Sequence, residues 1–219
     1  MIPSSLRFLL LSISLTALAH WYGRYLIEAL MPLYRFTMLH LDSRIDIASL
    51  SITQLQGQPF VQFEGLVSRP FFIDEQYFLI ENALLSSSRI PLDYALQPLV
   101  IFFTLVLAWP TEKSATPYQA YFYRVSIGAP LLLILMLLDF PMQFIYMLWA
   151  QLEKALNATG DAHGLLLYWS DFLNGGGLIM LSLAISVVAI GLSNKLMSKK
   201  NYGSENLGSS KSSLAKAQI

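Results

Sequence analysis

The residue best placed to do chemistry in this sequence is an acid where acids are costly. Asp139 is the single charged residue between positions 125 and 151, and Phe140-Pro141 follow it. A carboxylate at that depth in an apolar helix must face a partner, water or its own protonation. The first apolar stretch offers partners. His20, Arg24 and Glu28 are spaced i, i+4, i+8 and share one helical face. Counted from Arg7, His20 lies roughly 20 Å and Arg24 roughly 25 Å along a helix, while Asp139 lies roughly 21 Å from Val125. The depths match, so Asp139 is expected to meet His20 or Arg24. Such a pair would fix helix packing or line a proton or substrate path. The other outcome is an Asp139 that snorkels to the outer interface.

Other reactive groupings are missing. There is no cysteine, hence no disulfide, thiol nucleophile or thiolate metal site. His20, His40 and His163 lie at no metal-ligand spacing, and no HExxH occurs. Gly175-Gly176-Gly177 lacks the lysine and Ser/Thr of a phosphate loop and reads as loosened backbone where a helix begins. No serine stands in a GxSxG elbow. Asn157-Ala158-Thr159 matches a glycosylation sequon. No catalytic residue, metal site or cofactor is expected.

The elements that must carry these residues are visible in the charge pattern. The chain has 219 residues, 55% hydrophobic and 13% charged. That charge share is about half of what a soluble domain uses to cover its surface. An ordinary cytosolic domain and a disordered chain are both disfavoured, and a net charge of zero removes the footprint of a nucleic-acid binder. Charge is absent from 8–23, 94–111 and 172–194, and nearly so from 125–151. About 20 apolar residues span a bilayer. The sequence therefore predicts an integral membrane protein, mainly α, with four spans near 7–30, 94–110, 125–150 and 173–194. Basic residues flank the ends expected to lie inside: Lys195, Lys199 and Lys200 after the last span, Lys113 and Arg124 between the second and third. Both termini are then cytoplasmic and residues 41–93 lie on the outer side of the membrane. The first block also fits a cleavable signal, with Arg7 ahead of an apolar run and Ala17-Leu18-Ala19 as a cleavage-like site. Helical spacing continuing through Tyr25 to Met31 favours one helix over 1–40, extension included.

Between the first two spans, 41–93 can form a small β-rich lobe. Arg44-Ile-Asp-Ile and Leu50-Ser-Ile-Thr each alternate, but out of phase, which predicts a bulge near Ala48-Ser49. Gly57-Gln58-Pro59 signals a turn before Val61-Gln-Phe-Glu alternates again. Phe60, Phe63, Phe71, Phe72, Tyr77 and Phe78 supply a greasy face, either the lobe's own small core or a surface for a partner. Tyr77, Glu81, Leu84 and Leu85 fit a short helix. Within the three-helix region 94–194, Ser182, Ser186, Ala189 and Ser193 recur at 4, 3 and 4 residues, a small-residue face for close helix packing. Pro98, Pro130 and Pro141 are expected to kink their helices. The Ser-, Lys- and Gly-rich stretch 195–219 reads as a disordered basic tail.

The layout resembles the small membrane proteins associated with bacterial exosortase H systems. The matching stretches are Asn82-Ala-Leu-Leu, then Tyr94-Ala-Leu-Gln-Pro98-Leu99 running to Leu107-Ala108-Trp109-Pro110, and a basic residue opening the third helix at Arg124-Val-Ser-Ile-Gly128. The resemblance implies a non-enzymatic accessory or scaffold that contacts the lipid bilayer and a sorting protease or envelope component. This chain is not that protease, whose transpeptidase chemistry needs a cysteine. A small transporter or channel subunit, with Asp139, His20 and Arg24 along its path, is the alternative.

Overall fold

The charge-poor blocks fold as helices, three of them far longer than a bilayer is thick. The computed structural model describes residues 4–73, 76–78, 84–111, 117–156 and 164–216. Helix α1 is Ser4–Leu41, α2 Leu92–Ala108, α3 Pro117–Leu156, α4 Gly164–Phe172 and α5 Leu178–Lys216. At 1.5 Å per residue, α1 and α3 reach about 57 and 60 Å, and α2 about 26 Å. Pro130 and Pro141 are accommodated inside α3, Pro98 inside α2 and Pro32 inside α1. α2 ends because Pro110 drives Trp109 into an extended conformation, φ −64° and ψ 130°. Between α4 and α5, Leu173–Gly177 winds as a π-type turn in which Gly176 takes φ +105°, which only glycine adopts freely. The glycine triplet thus breaks the helix where the sequence reads loosened backbone. The chain is mostly helical, and two stretches, Tyr118–Ala155 and Leu166–Ser198, are long and apolar enough to cross a membrane. α2 is apolar but shorter, and α1 carries His20, Arg24, Glu28 and Arg35 within its length.

The free ends of α1 and α3 carry a three-stranded antiparallel sheet of β1 (Ile45–Leu55), β2 (Gln58–Val67) and β5 (Leu84–Pro91), in the order β1-β2-β5. The register of β1 against β2 slips between Ile47 and Ser49. Ala48 is the extra residue, so Ile45 and Ile47, then Leu50 and Ile52, all face the same side despite the change of phase. The hairpin turns on Gln56 and Gly57, φ 53° and 81°, a type I′ turn one residue ahead of the expected one. Ile45, Ile47, Val61, Phe63, Val67 and Ile90 form the buried face. Phe63 packs its ring 5.3 Å from that of Phe144 in α3, and Gly65 leaves the room that Leu148 occupies. The opposite face is a polar ladder of Ser49, Thr53, Gln62, Glu64 and Arg89.

Two expectations change here. Leu84 and Leu85 lie in β5 rather than a helix, because strand pairing with Val67 and Leu66 satisfies their backbone and outweighs local propensity. The tail is also not irregular throughout: α5 continues as helix to Lys216, since extending a nucleated helix is far easier than starting one. A second, two-stranded ladder pairs β3 (Phe71–Ile73) with β4 (Gln76–Phe78). Of the six aromatics proposed for the lobe's greasy face, Phe63 is core and Phe60 half-buried. The side chains of Phe71, Phe72, Tyr77 and Phe78 lie outside the described residues, as do Asn82, Asn157 and His163.

Inside the bundle, small residues set the helix spacing. A side chain at Gly23 would collide with Leu96, and one at Gly128 with Phe102 and Ala189. The α5 face of Ser182, Ser186, Ala189 and Ser193 is fully buried, against α3 and α2. Its hydroxyls donate back to Leu178 O, Ser182 O and Ile190 O at 2.7, 2.7 and 2.9 Å, so no donor is stranded in the apolar contact.

Candidate functional site

Asp139 is buried, but its partner is not the expected one. Gln143, one turn on, donates from Nε2 to Asp139 Oδ1 at 2.8 Å and to the Tyr94 hydroxyl at 2.7 Å. Tyr94 donates to Asn174 Oδ1 at 3.4 Å, and Asn174 Nδ2 to Ser170 Oγ at 3.3 Å. One polar chain therefore ties α3, α2, the π turn and α4 at the level where α2 begins. Tyr34 of α1 stacks on Phe140, ring centres 5.3 Å apart. It comes within electrostatic reach of Asp139, and its buried hydroxyl has no hydrogen-bond partner.

His20, Arg24 and Glu28 stay outside this cluster. Arg24 Nε donates to Glu28 Oε1 at 2.8 Å on the exposed face of α1, and exposed His20 meets Trp21 edge-on at 6.4 Å. The pairing of Asp139 with His20 or Arg24 does not form. The α1 side chain that reaches the level of Asp139 is Tyr34, ten residues beyond Arg24, and Gly23 and Ile27 take the buried side of α1 while Arg24 and Glu28 are exposed.

At the other end of the bundle, two arginines converge on the C-terminus of α2. Arg124, fully buried, donates to the carbonyls of Val106 (3.2 Å), Trp109 (2.9 Å) and Pro110 (3.0 Å). Arg7 donates to Leu107 O at 2.8 Å and to the Tyr121 hydroxyl. The Tyr121 ring lies between them, 6.0 Å from the Arg7 guanidinium and 5.8 Å from that of Arg124. A helix C-terminus presents unpaired carbonyls and the negative end of its dipole, so cations stabilise it.

A third cluster fastens the lobe to its stems. Asp42, just past α1, accepts from Arg44 Nε and Nη2, both at 2.8 Å, and from Trp149 Nε1 at 2.9 Å, while the Arg44 guanidinium lies 4.6 Å over the Trp149 ring. Burial alone would push the Asp42 carboxyl up. The hydrogen bonds from the Arg44 side chain and backbone and from the indole outweigh it and hold the carboxyl below its ordinary range. Sequence reasoning missed this cluster, since Trp149 is 107 residues from Asp42. Gln143 carried a readable signal, its i+4 spacing from Asp139.

Chemically, each cluster holds one element on another. Among the described residues, no three or more His, Asp or Glu side chains gather as a metal would require. Two grooves flank α1: one of about 860 Å³ against α2, and one of about 300 Å³ beside Arg7 and Tyr121. No protein-family model, curated protein or solved structure matches the chain.

Proposed function

We propose that the chain is a four-span scaffold of the bacterial inner membrane, with both termini inside and residues 41–93 outside. In this reading it is a non-enzymatic accessory to an exosortase-type sorting or envelope-assembly complex. Support for four spans comes from a common slab. Arg7 to Arg24, Leu92 to Ala108, Arg124 to Gln143 and Leu178 to Lys195 measure about 26, 26, 29 and 26 Å along their helices. These lengths approach the roughly 30 Å of a hydrocarbon core. Contacts keep the levels aligned, Arg7 and Arg124 meeting the end of α2, and Gln143 and Asn174 meeting Tyr94 near its start. In Leu166–Ser198, only 33% of the most apolar window is buried. The core helix of a soluble protein would be covered, whereas a helix facing lipid need not be.

The observation that carries the scaffold reading is a division of labour. Asp139, Gln143, Arg124, Asp42 and Trp149 fix elements to one another inside, while α1 exposes Trp21, Tyr22, Tyr25 and Phe36. Such an aromatic belt at an interface suits lipid and partner contact. Trp109-Pro110 and Arg124, two of the stretches on which the resemblance rests, meet in one joint in this chain. The transporter reading loses its pair, with Arg24 held by Glu28 and Asp139 by Gln143. Photocrosslinking in native membranes from Tyr25 and Phe36 tests the role. The expected adduct is a sorting protease or envelope-assembly protein, and adducts to lipid alone would overturn it.

A further inference from the structure

Helices α1 and α2 pack along one another, and a groove runs over the outer side of their seam. Gly23 closes on Leu96 at one end, and Arg7 reaches Leu107 O at the other. Beside this seam the groove, of about 860 Å³, opens on the bundle's flank, within the size range of small-molecule sites. Away from the start of α2 its lining is uncharged, with Ile13, Ala17, Val100 and Ile101 beside Ser12 and Thr16, and its end at the start of α2 is lined by His20, Trp21 and Asp93.

We propose that this groove holds one phospholipid with an amine headgroup, its acyl chain along the apolar walls and its headgroup at His20, Trp21 and Asp93. The inference rests on the membrane reading above. At this depth the apolar walls cannot be covered by water, so an apolar group must fill them. Charge is confined to one end of the groove, at Asp93. A lipid matches that arrangement, whereas a partner helix would set apolar surface against His20 and Asp93. Charge selects the headgroup. Asp93 is an exposed carboxylate in the first turn of α2. It attracts an ammonium and repels a headgroup that carries only negative charge, while the His20 ring and the Trp21 indole supply N–H donors for the phosphate.

The test uses the full chain reconstituted in vesicles of equimolar phosphatidylethanolamine and phosphatidylglycerol, re-extracted gently, with retained lipid measured by native mass spectrometry. About one phosphatidylethanolamine per chain is expected, enriched roughly tenfold over phosphatidylglycerol, the ratio that one charge-assisted contact supplies. Ala17→Phe, which fills the apolar wall, is expected to abolish retention. Asp93→Lys, on the exposed rim, is expected to reverse the preference toward phosphatidylglycerol. Should Ala17→Phe fail to fold, Asp93→Lys decides alone. Retention in proportion to bulk lipid, a preference unmoved by Asp93→Lys, or crosslinks from Ile13 to a protein instead of lipid would overturn the proposal. Alkaline extraction of the same membranes separates the two readings. A chain that stays membrane-bound yet retains no lipid sinks the groove alone, whereas a chain released without detergent sinks the membrane reading.

Discussion

Arg124 shows why a charge tolerates full burial in this chain. It takes three carbonyls at the end of α2, where acceptors would otherwise be bare, and its charge sits at the negative pole of that helix. Arg124→Met keeps the stem but strands the acceptors, and thermal unfolding in detergent should show a loss of about 2–4 kcal/mol. Arg124→Lys should recover part of it, since it keeps the charge but not the planar fork. Asp42 makes a prediction in pH. Its carboxyl is held below the ordinary range, so its contribution is complete above the unfolded value of about 4 and is lost as pH falls through the folded one. Unfolding midpoints measured from neutral to strongly acid pH should drop below about pH 4, and Asp42→Asn should flatten that drop. At Asp139, substitution by Asn should cost no more than about 1 kcal/mol, because an amide oxygen still accepts from Gln143. Gln143→Leu should cost more, about 1–3 kcal/mol, since it leaves the carboxylate without its donor. That Asp139 faces a partner inside the bundle was legible in the sequence. The rotation of α1 was not, because the residues that set it, Gly23 and Ile27, are identified only by what they touch.

At the scale of elements, legibility followed periodicity. The two phases of alternation in β1 foretold the bulge at Ala48, because period 2 shows which side each residue faces. β5 gave no such signal. Its Ser86-Ser87-Ser88 run reads as a linker, and it becomes a strand because β2 offers an edge. The recurrence of Ser182, Ser186, Ala189 and Ser193 foretold a contact face, and all four are fully buried. It did not show which helices lie opposite, since spacing records the width of a contact and not its partner. Ser186→Leu should therefore force α5 away from the bundle and lower stability by about 1–3 kcal/mol. Val187→Leu, one residue on and exposed, should stay within about 0.5 kcal/mol. Unfolding midpoints of the two variants, made side by side, distinguish a packing face from general intolerance of α5 to bulk.

For the whole molecule, the length of α1 and α3 joins the two halves of the architecture. In the proposed four-span arrangement, a helix of about 60 Å has roughly half its length left after a 30 Å core. That surplus is the stem on which the sheet is built, through Phe63 on Phe144 and through Asp42 and Arg44 on Trp149. The lobe needs no independent stability, because its buried face is completed by helix. The proposed four-span topology puts the hairpin turn and the far end of α5 on opposite sides of the bilayer, which gives a direct check. The chain has no cysteine, so any introduced thiol is unique. Gln58→Cys at the hairpin and Ser198→Cys near the end of the apolar part of α5 both lie on exposed positions. With a membrane-impermeant maleimide, Gln58→Cys should label when the inner membrane is intact, and Ser198→Cys only after permeabilisation. Labelling of both in intact membranes would place the two ends on one side, so that the chain crosses the bilayer an even number of times between them, and would overturn the four-span reading.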